Sequence, residues 1–192
     1  MMNLERSLGT APQACSENGK IMMTKPDKIY FDMDGVLADF NRGVKEMCGM
    51  ETPPQGEGWA PGCDGLMWER IRMQDHFYDR LEIMPGAMEM FGLIYSRYGD
   101  RCEILSAIPR PEKGILTARE DKIRWMRRLF PEQVVVNIVL RKEKPLFCKG
   151  RGYILIDDFS ENVKAWETIG GTGIYHKSPE TTITKLQKIG IL

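Results

Sequence analysis

Short apolar runs alternate along this chain with longer stretches whose apolar residues recur at helical spacing. Five runs read as strands: Lys28 to Phe31, Cys102 to Ser106, Val134 to Leu140, Tyr153 to Ile156 and Thr172 to His176. Apolar, β-branched and aromatic residues dominate most of them, as in strands covered on both faces of a parallel sheet. Helical spacing appears over 40–50 (Phe40, Val44, Met47), 66–80 (Leu66, Met67, Ile71, Met73) and 86–98 (Met90, Ile94, Tyr98). It returns over 118–130, with Ile123, Met126 and Leu129 inward and Trp125 in the core, and over 161–169, with Val163, Trp166 and Ile169 inward. Ser178-Pro179 opens a last helix that buries Ile183, Leu186 and Ile189. Thr117 to Glu120 fits a capping box, Ser160 is a cap, and Pro131 stops the helix before it. Strands alternating with helices predict an α/β fold, a mostly parallel sheet with helices in layers on both faces and right-handed crossovers.

One interval does not fit simple alternation. Roughly 70 residues separate Met33 from Cys102, whereas a β-helix-β unit needs only about 30. The surplus is an insertion after the first strand. Its middle, 51–65, is rich in Pro and Gly and reads as loop. The expected organisation is a weakly ordered tail over 1–25, a core over 26–39 and 84–192, and a small helical cap over 40–83.

The candidate chemistry sits where strands end. The first strand runs into Asp32-Met33-Asp34-Gly35. Residues two apart on a strand share a face, so Asp32 and Asp34 point the same way. Two like charges that close repel unless a cation lies between them, and a hard divalent ion such as Mg²⁺ takes oxygen ligands. A surface turn is the plain alternative, because Asp-Gly is a common turn dipeptide. Tyr153 to Ile156 repeats the arrangement by running straight into Asp157-Asp158. Two strands in one chain, each delivering paired acids, are stronger than either pair alone. Ser106 closes the second strand, where ligands bind in open α/β sheets, and Arg110 follows in the same loop. After the third strand comes Arg141-Lys142-Glu143-Lys144-Pro145. Such a run is usually a solvated loop, but a phosphoryl site needs a fixed cation.

Phe31-Asp32-Met33-Asp34-Gly35-Val36-Leu37-Ala38 resembles the first motif of the haloacid-dehalogenase-like phosphohydrolases. Asp-Gly-Val-Leu-Ala-Asp-Phe within this stretch looks most like the 5'(3')-deoxyribonucleotidases and their bacterial and phage relatives. The resemblance implies a haloacid-dehalogenase-like three-layer fold with the cap after the first strand. It makes Asp32 a nucleophile and Asp34 a general acid/base in a two-step phosphoryl transfer. Ser106 falls on the second motif and Asp157-Asp158 on the fourth, whose acids complete a Mg²⁺ site with Asp32 and the Asp34 backbone carbonyl. Lys144 takes the third-motif position, with Lys142 as the alternative if the register slips by two, and Lys149 after that. Lys122-Ile123-Arg124-Trp125 resembles a helix that serves packing in those enzymes, and no chemistry is assigned to it. The cap of these enzymes supplies aromatic contacts to a nucleobase, for which Phe40 and Trp59 are the choices ahead of Trp68, Phe77 and Tyr78; packing the cap's own small core is the plainer reading of any one of them. Many deoxyribonucleotidases follow the paired acids with Arg; here the residue is Phe159.

Composition narrows the field. The chain has 192 residues, with 27 Lys and Arg against 27 Asp and Glu. Without a basic excess a nucleic-acid polymer is not the expected partner, so the substrate is a small nucleotide or another phosphomonoester. No apolar run reaches the ~18–20 residues of a membrane span, and the first 25 residues lack the apolar core of a signal peptide. Five cysteines without a Cys-x-x-Cys pair suggest reduced thiols in a cytoplasmic protein. His76 and His176 lack metal-ligand spacing and read as structural or surface residues. Gly170 to Gly173 precedes a strand and is a turn, not a dinucleotide fingerprint. Oligomeric state is open, a homodimer being compatible. The expected activity is Mg²⁺-dependent 5'-nucleotidase. A phosphatase of sugar phosphates or other metabolites and a non-catalytic binder of the same fold are the alternatives.

Overall fold

The structure, a computed structural model, describes residues 25–54, 58–60 and 62–192. Five strands make one sheet: β1 (Lys28–Phe31), β2 (Cys102–Ile108), β3 (Val135–Leu140), β4 (Tyr153–Asp157) and β5 (Thr172–Tyr175). Every pairing is parallel and the order is β3-β2-β1-β4-β5. The chain winds outward from β1 through β2 to β3, then crosses back to place β4 on the other side of β1. That reversal puts a switch point between β1 and β4, where the strands' carboxyl ends leave a crevice. Register brings the motifs together there: Phe31 pairs with Ile156, so Asp32 lies beside Asp157.

Alternation along the strands feeds two apolar layers. Ile29, Phe31, Ile104, Ile154 and Ile156 face the larger core with α3 (Ala87–Tyr98), α4 (Ala118–Leu129) and α6 (Pro179–Lys188). Tyr30, Leu105 and Leu155 face Trp166 of α5 (Ser160–Thr168) on the opposite side. Ser178 caps α6 by accepting from the Thr181 amide, with Pro179 at its first turn.

The segment between β1 and α3 holds α1 (Phe40–Cys48), α2 (Gly65–Arg72) and a 3-10 turn at Phe77–Arg80. Its outgoing and returning chains are hydrogen-bonded, Asp39 N to Glu82 O at 2.9 Å and Met84 N to Leu37 O at 2.8 Å. The helical stretch expected over 66–80 is broken, because His76 adopts a left-handed conformation (φ 51) between α2 and the 3-10 turn.

Other details also depart from expectation. Thr117 makes no cap bond; its hydroxyl donates to Asp121 Oδ2 at 2.7 Å. Ser160 is the first helical residue of α5 and does not cap it. The inward stripe of α4 is Ala118, Asp121, Lys122, Trp125 and Met126, while Ile123 faces outward. Trp125 and Met126 are inward as expected, but two of those five are charged, so apolarity alone misplaces Ile123 and misses Asp121 and Lys122. Ile169 is exposed beyond the end of α5. Cys48, Cys63, Cys102 and Cys148 are free thiols, and among the described residues no helix is long and apolar enough to cross a membrane. The tail expected over 1–25 falls almost wholly outside the described residues.

Candidate active site

The floor of the crevice is built by the two strands that end on acids. Asp32 continues β1 and donates its amide to Ile156 O at 2.9 Å. Beyond it the chain turns sharply. The Met33 carbonyl accepts from Leu37 N and Ala38 N, both at 2.8 Å, and Gly35 sits at φ 73. A Cβ built at Gly35 would lie 2.0 Å from Asp158 Oδ2, so only glycine admits the Asp158 carboxyl against this turn.

Two buried lysines organise the acids. Lys144 reaches the floor from the 3-10 turn Arg141–Phe147, with its Nζ 2.6 Å from Asp157 Oδ2 and 3.0 Å from Asp32 Oδ1. Asn162 of α5 and the Phe159 amide also donate to Asp157. Burial alone would lower the Lys144 pKa, but Asp157 and Asp32 outweigh it and hold the ammonium above its usual range. Lys122 arrives from α4 on the other side. Its Nζ donates to Asp34 Oδ2 at 2.6 Å, Ser106 Oγ at 3.0 Å and the Ala107 carbonyl at 2.9 Å. Asp34 Oδ1 is buried with no hydrogen-bond partner among the described residues. Burial raises the Asp34 pKa, opposed chiefly by Lys122. Ser106 accepts from Lys122, which leaves its own proton to donate.

Asp32, Asp157 and Asp158 each offer an oxygen, and these lie within 4.8 Å of one another. Asp158 is pushed up to about 8, first by burial and then by Asp32, Asp157 and Asp34. A cation there would remove that penalty, and a set of carboxylate oxygens is what a hard divalent ion takes. These residues therefore fit a divalent metal. The Asp34 side chain lies outside the trio, committed to Lys122.

Above the floor lies a cleft of about 1020 Å³, lined by Asp32, Asp34 and Asp158 below and by Phe40, Trp59 and Trp68 above. Phe40 is half-buried and packs against Phe77 (5.7 Å between ring centroids) and Tyr78 (6.3 Å). Trp59 lines the cleft without a ring partner among the described residues. Arg110 and Lys142 border the same cleft, exposed. Lys149 borders a separate hollow with Lys28 and Tyr153, where β1 and β4 begin, far from the acids.

A family model described as "5' nucleotidase, deoxy (Pyrimidine), cytosolic type C protein" matches residues 26–188. The chain belongs to this family. It is thus a phosphomonoester hydrolase. A protein of Vibrio phage KVP40, described as "Putative 5'(3')-deoxyribonucleotidase", is 29% identical over 140 residues, spanning 72% of this chain and 71% of its own. A hydrolase from Streptococcus pneumoniae TIGR4 is matched at 11% identity over 85% of this chain and 100% of its own, with a TM-score of 0.46.

For a chain of this family, Lys122 is the residue sequence reasoning missed. It reads as a charged position on a packing helix, yet it is fully buried against Asp34 and Ser106. The available signal was its spacing. Ala118, Lys122 and Trp125 recur at i, i+4 and i+7, on one helical face.

Proposed function

We propose that this protein is a Mg²⁺-dependent 5'-nucleotidase that hydrolyses deoxynucleoside monophosphates through an aspartyl-phosphate on Asp32. The arrangement of Asp34 carries the reading. One of its oxygens is held by a buried lysine, and the other is buried and unpartnered. A carboxyl fixed in that way, two residues beyond a carboxylate on the same turn, suits proton transfer next to a nucleophile.

An Asp32 oxygen attacks phosphorus, and the bond to the nucleoside oxygen breaks. Asp34 gives its proton to that oxygen, so a neutral alcohol leaves. The Asp34 carboxylate then takes a proton from water. The resulting hydroxide attacks phosphorus, the bond to Asp32 breaks, and inorganic phosphate departs with Asp32 restored. Ser106 and Lys144 donate to the phosphoryl oxygens. Asp32, Asp158 and the Asp34 backbone carbonyl would hold Mg²⁺, while Asp157 fixes Lys144. When bound, Mg²⁺ supplies charge stabilisation of the phosphoryl group. Segment 40–83 acts as a cap that keeps bulk water out, and the base lies against Phe40 and Trp59.

The test is phosphate release from 5'- and 3'-deoxynucleotides, ribonucleotides, sugar phosphates and p-nitrophenyl phosphate, in Mg²⁺ or EDTA. Metal-dependent release that is fastest on deoxynucleotides is expected. Equal or faster release from base-free phosphates would overturn the substrate. Full activity in EDTA would overturn the metal.

A further inference from the structure

The mechanism leaves Arg110, Arg141 and Lys142 of the cleft lining unused, and of these Arg141 is the one held over an aromatic ring among the described residues. Among the positive side chains around the cleft, Lys113 is taken by Asp64 at 2.9 Å. Arg141 is exposed, and its guanidinium makes no hydrogen bond or ion pair among the described residues. It is nonetheless held: its guanidinium carbon lies 4.2 Å from the centroid of the Phe159 ring. Both residues line the cleft with Asp32, Asp34 and Asp158.

The backbone on each side is clamped. Leu140 N donates to Glu143 Oε2 at 2.8 Å, which closes the start of the 3-10 turn that Arg141 opens. Side chains three apart in a 3-10 helix eclipse, so Arg141 lies on the same side as Lys144, one turn nearer the strand end. Phe159 follows Asp158 directly, and its amide is bound by Asp157 Oδ1 at 2.9 Å. The ring that carries Arg141 is therefore anchored to the carboxylate that carries Lys144.

Charge counting says what this cation is for. When Asp34 holds the proton that it gives to the leaving oxygen, Asp32, Asp157 and Asp158 carry three negative charges against two positive ones on Lys122 and Lys144. A divalent cation leaves the floor with one positive charge. A phosphomonoester dianion then arrives with one charge that nothing on the floor offsets. A planar guanidinium stacked on a ring keeps its edge donors free and in fork geometry, which matches phosphate oxygens.

We propose that Arg141, held over the Phe159 ring, is a substrate-binding residue that grips the phosphate group of the phosphomonoester at the mouth of the site. This rests on the phosphatase reading above but not on the choice of nucleoside. Phe159 is the platform, a positioning residue that acts through Arg141.

The experiment uses the full chain with Arg141→Ala, Arg141→Lys, Phe159→Ala and the double variant. It reads kcat and KM for p-nitrophenyl phosphate and a deoxynucleotide, inorganic phosphate binding by calorimetry, and thermal midpoints. Arg141→Ala is expected to raise KM for both substrates and weaken phosphate binding by the same factor, about 10- to 100-fold, as for a lost charge-assisted contact. Its thermal midpoint stays that of the parent. Arg141→Lys recovers part of the binding, because it restores charge without the fork. Phe159→Ala weakens phosphate binding in the parent and has no further effect once Arg141 is gone. Phosphate binding within twofold of the parent in Arg141→Ala would overturn the proposal, as would a KM rise confined to the nucleotide. A parent that hydrolyses no ester would overturn the phosphatase reading itself, and calorimetry with inorganic phosphate would still decide the role of Arg141.

Discussion

The floor of the site is divided between two buried lysines that do different work. Lys144 lies between two carboxylates, Asp32 and Asp157, with no neutral hydrogen-bond partner among the described residues. Lys122 meets one carboxylate, one hydroxyl and one carbonyl. Each ammonium has three donors, so the partners decide the role. On the Lys144 side the cation offsets charge that would otherwise drive the strand ends apart. On the Lys122 side it aims Asp34 and Ser106, and Asp34 keeps one oxygen unpartnered. The first half is chiefly electrostatic support; the second is chiefly positioning.

Replacing each lysine by methionine should separate the two. Lys144→Met leaves Asp32 and Asp157 buried without their cation. Removing one partner of a buried pair typically costs about 3–5 kcal/mol, and that loss is expected in urea unfolding at pH 7 in EDTA, together with loss of turnover. Lys122→Met should cost less stability, because Lys122 is paired with one carboxylate where Lys144 is paired with two. Its main effect should be on kcat, with a drop of about 100-fold from a misplaced acid and hydroxyl. Equal stability losses in the two variants, or a Lys122→Met enzyme with the parent's kcat, would erase the distinction.

A third buried base sharpens the contrast. His176 is 1% exposed and bonded through Nδ1 to Thr182 Oγ1 at 2.8 Å, and the one acid that favours its charge, Glu180, is outweighed. Burial first, then Lys185, lowers its pKa to about 4. Below pH 6.5 the unfolded chain takes up a proton that the folded chain refuses. Stability is therefore complete above about 6.5, is lost as pH falls, and levels off below 4, with a total on the order of 3 kcal/mol. A His176→Gln variant should lose that part of the slope between pH 7 and 4.5 in urea titrations. A parent and variant whose stabilities fall in parallel would show that His176 does not titrate in this way.

The same contrast explains what was legible before folding. Asp32, Asp34, Asp157 and Asp158 stood out because acids that end apolar strands break a local pattern. Lys144 could be placed only by resemblance, four positions past a strand within a run that solvent would equally suit. Lys122 was masked, because a lysine on a helix is by default a solvated residue; only its spacing with Ala118 and Trp125 set it apart, and its surroundings come from β1 and β2. Phe159 read as the loss of an arginine. Its partner Arg141 lies 18 residues earlier and meets it only because β3 and β4 end at the same edge.

By itself the sequence determined the elements and the acids, since hydrophobic period and strand-end polarity are local properties of the chain. Tertiary structure alone decided the partners: which lysine holds which carboxylate, which acid oxygen stays free, and which arginine lies on which ring. Those choices depend on strand order and on low-dielectric burial, which no stretch of sequence contains.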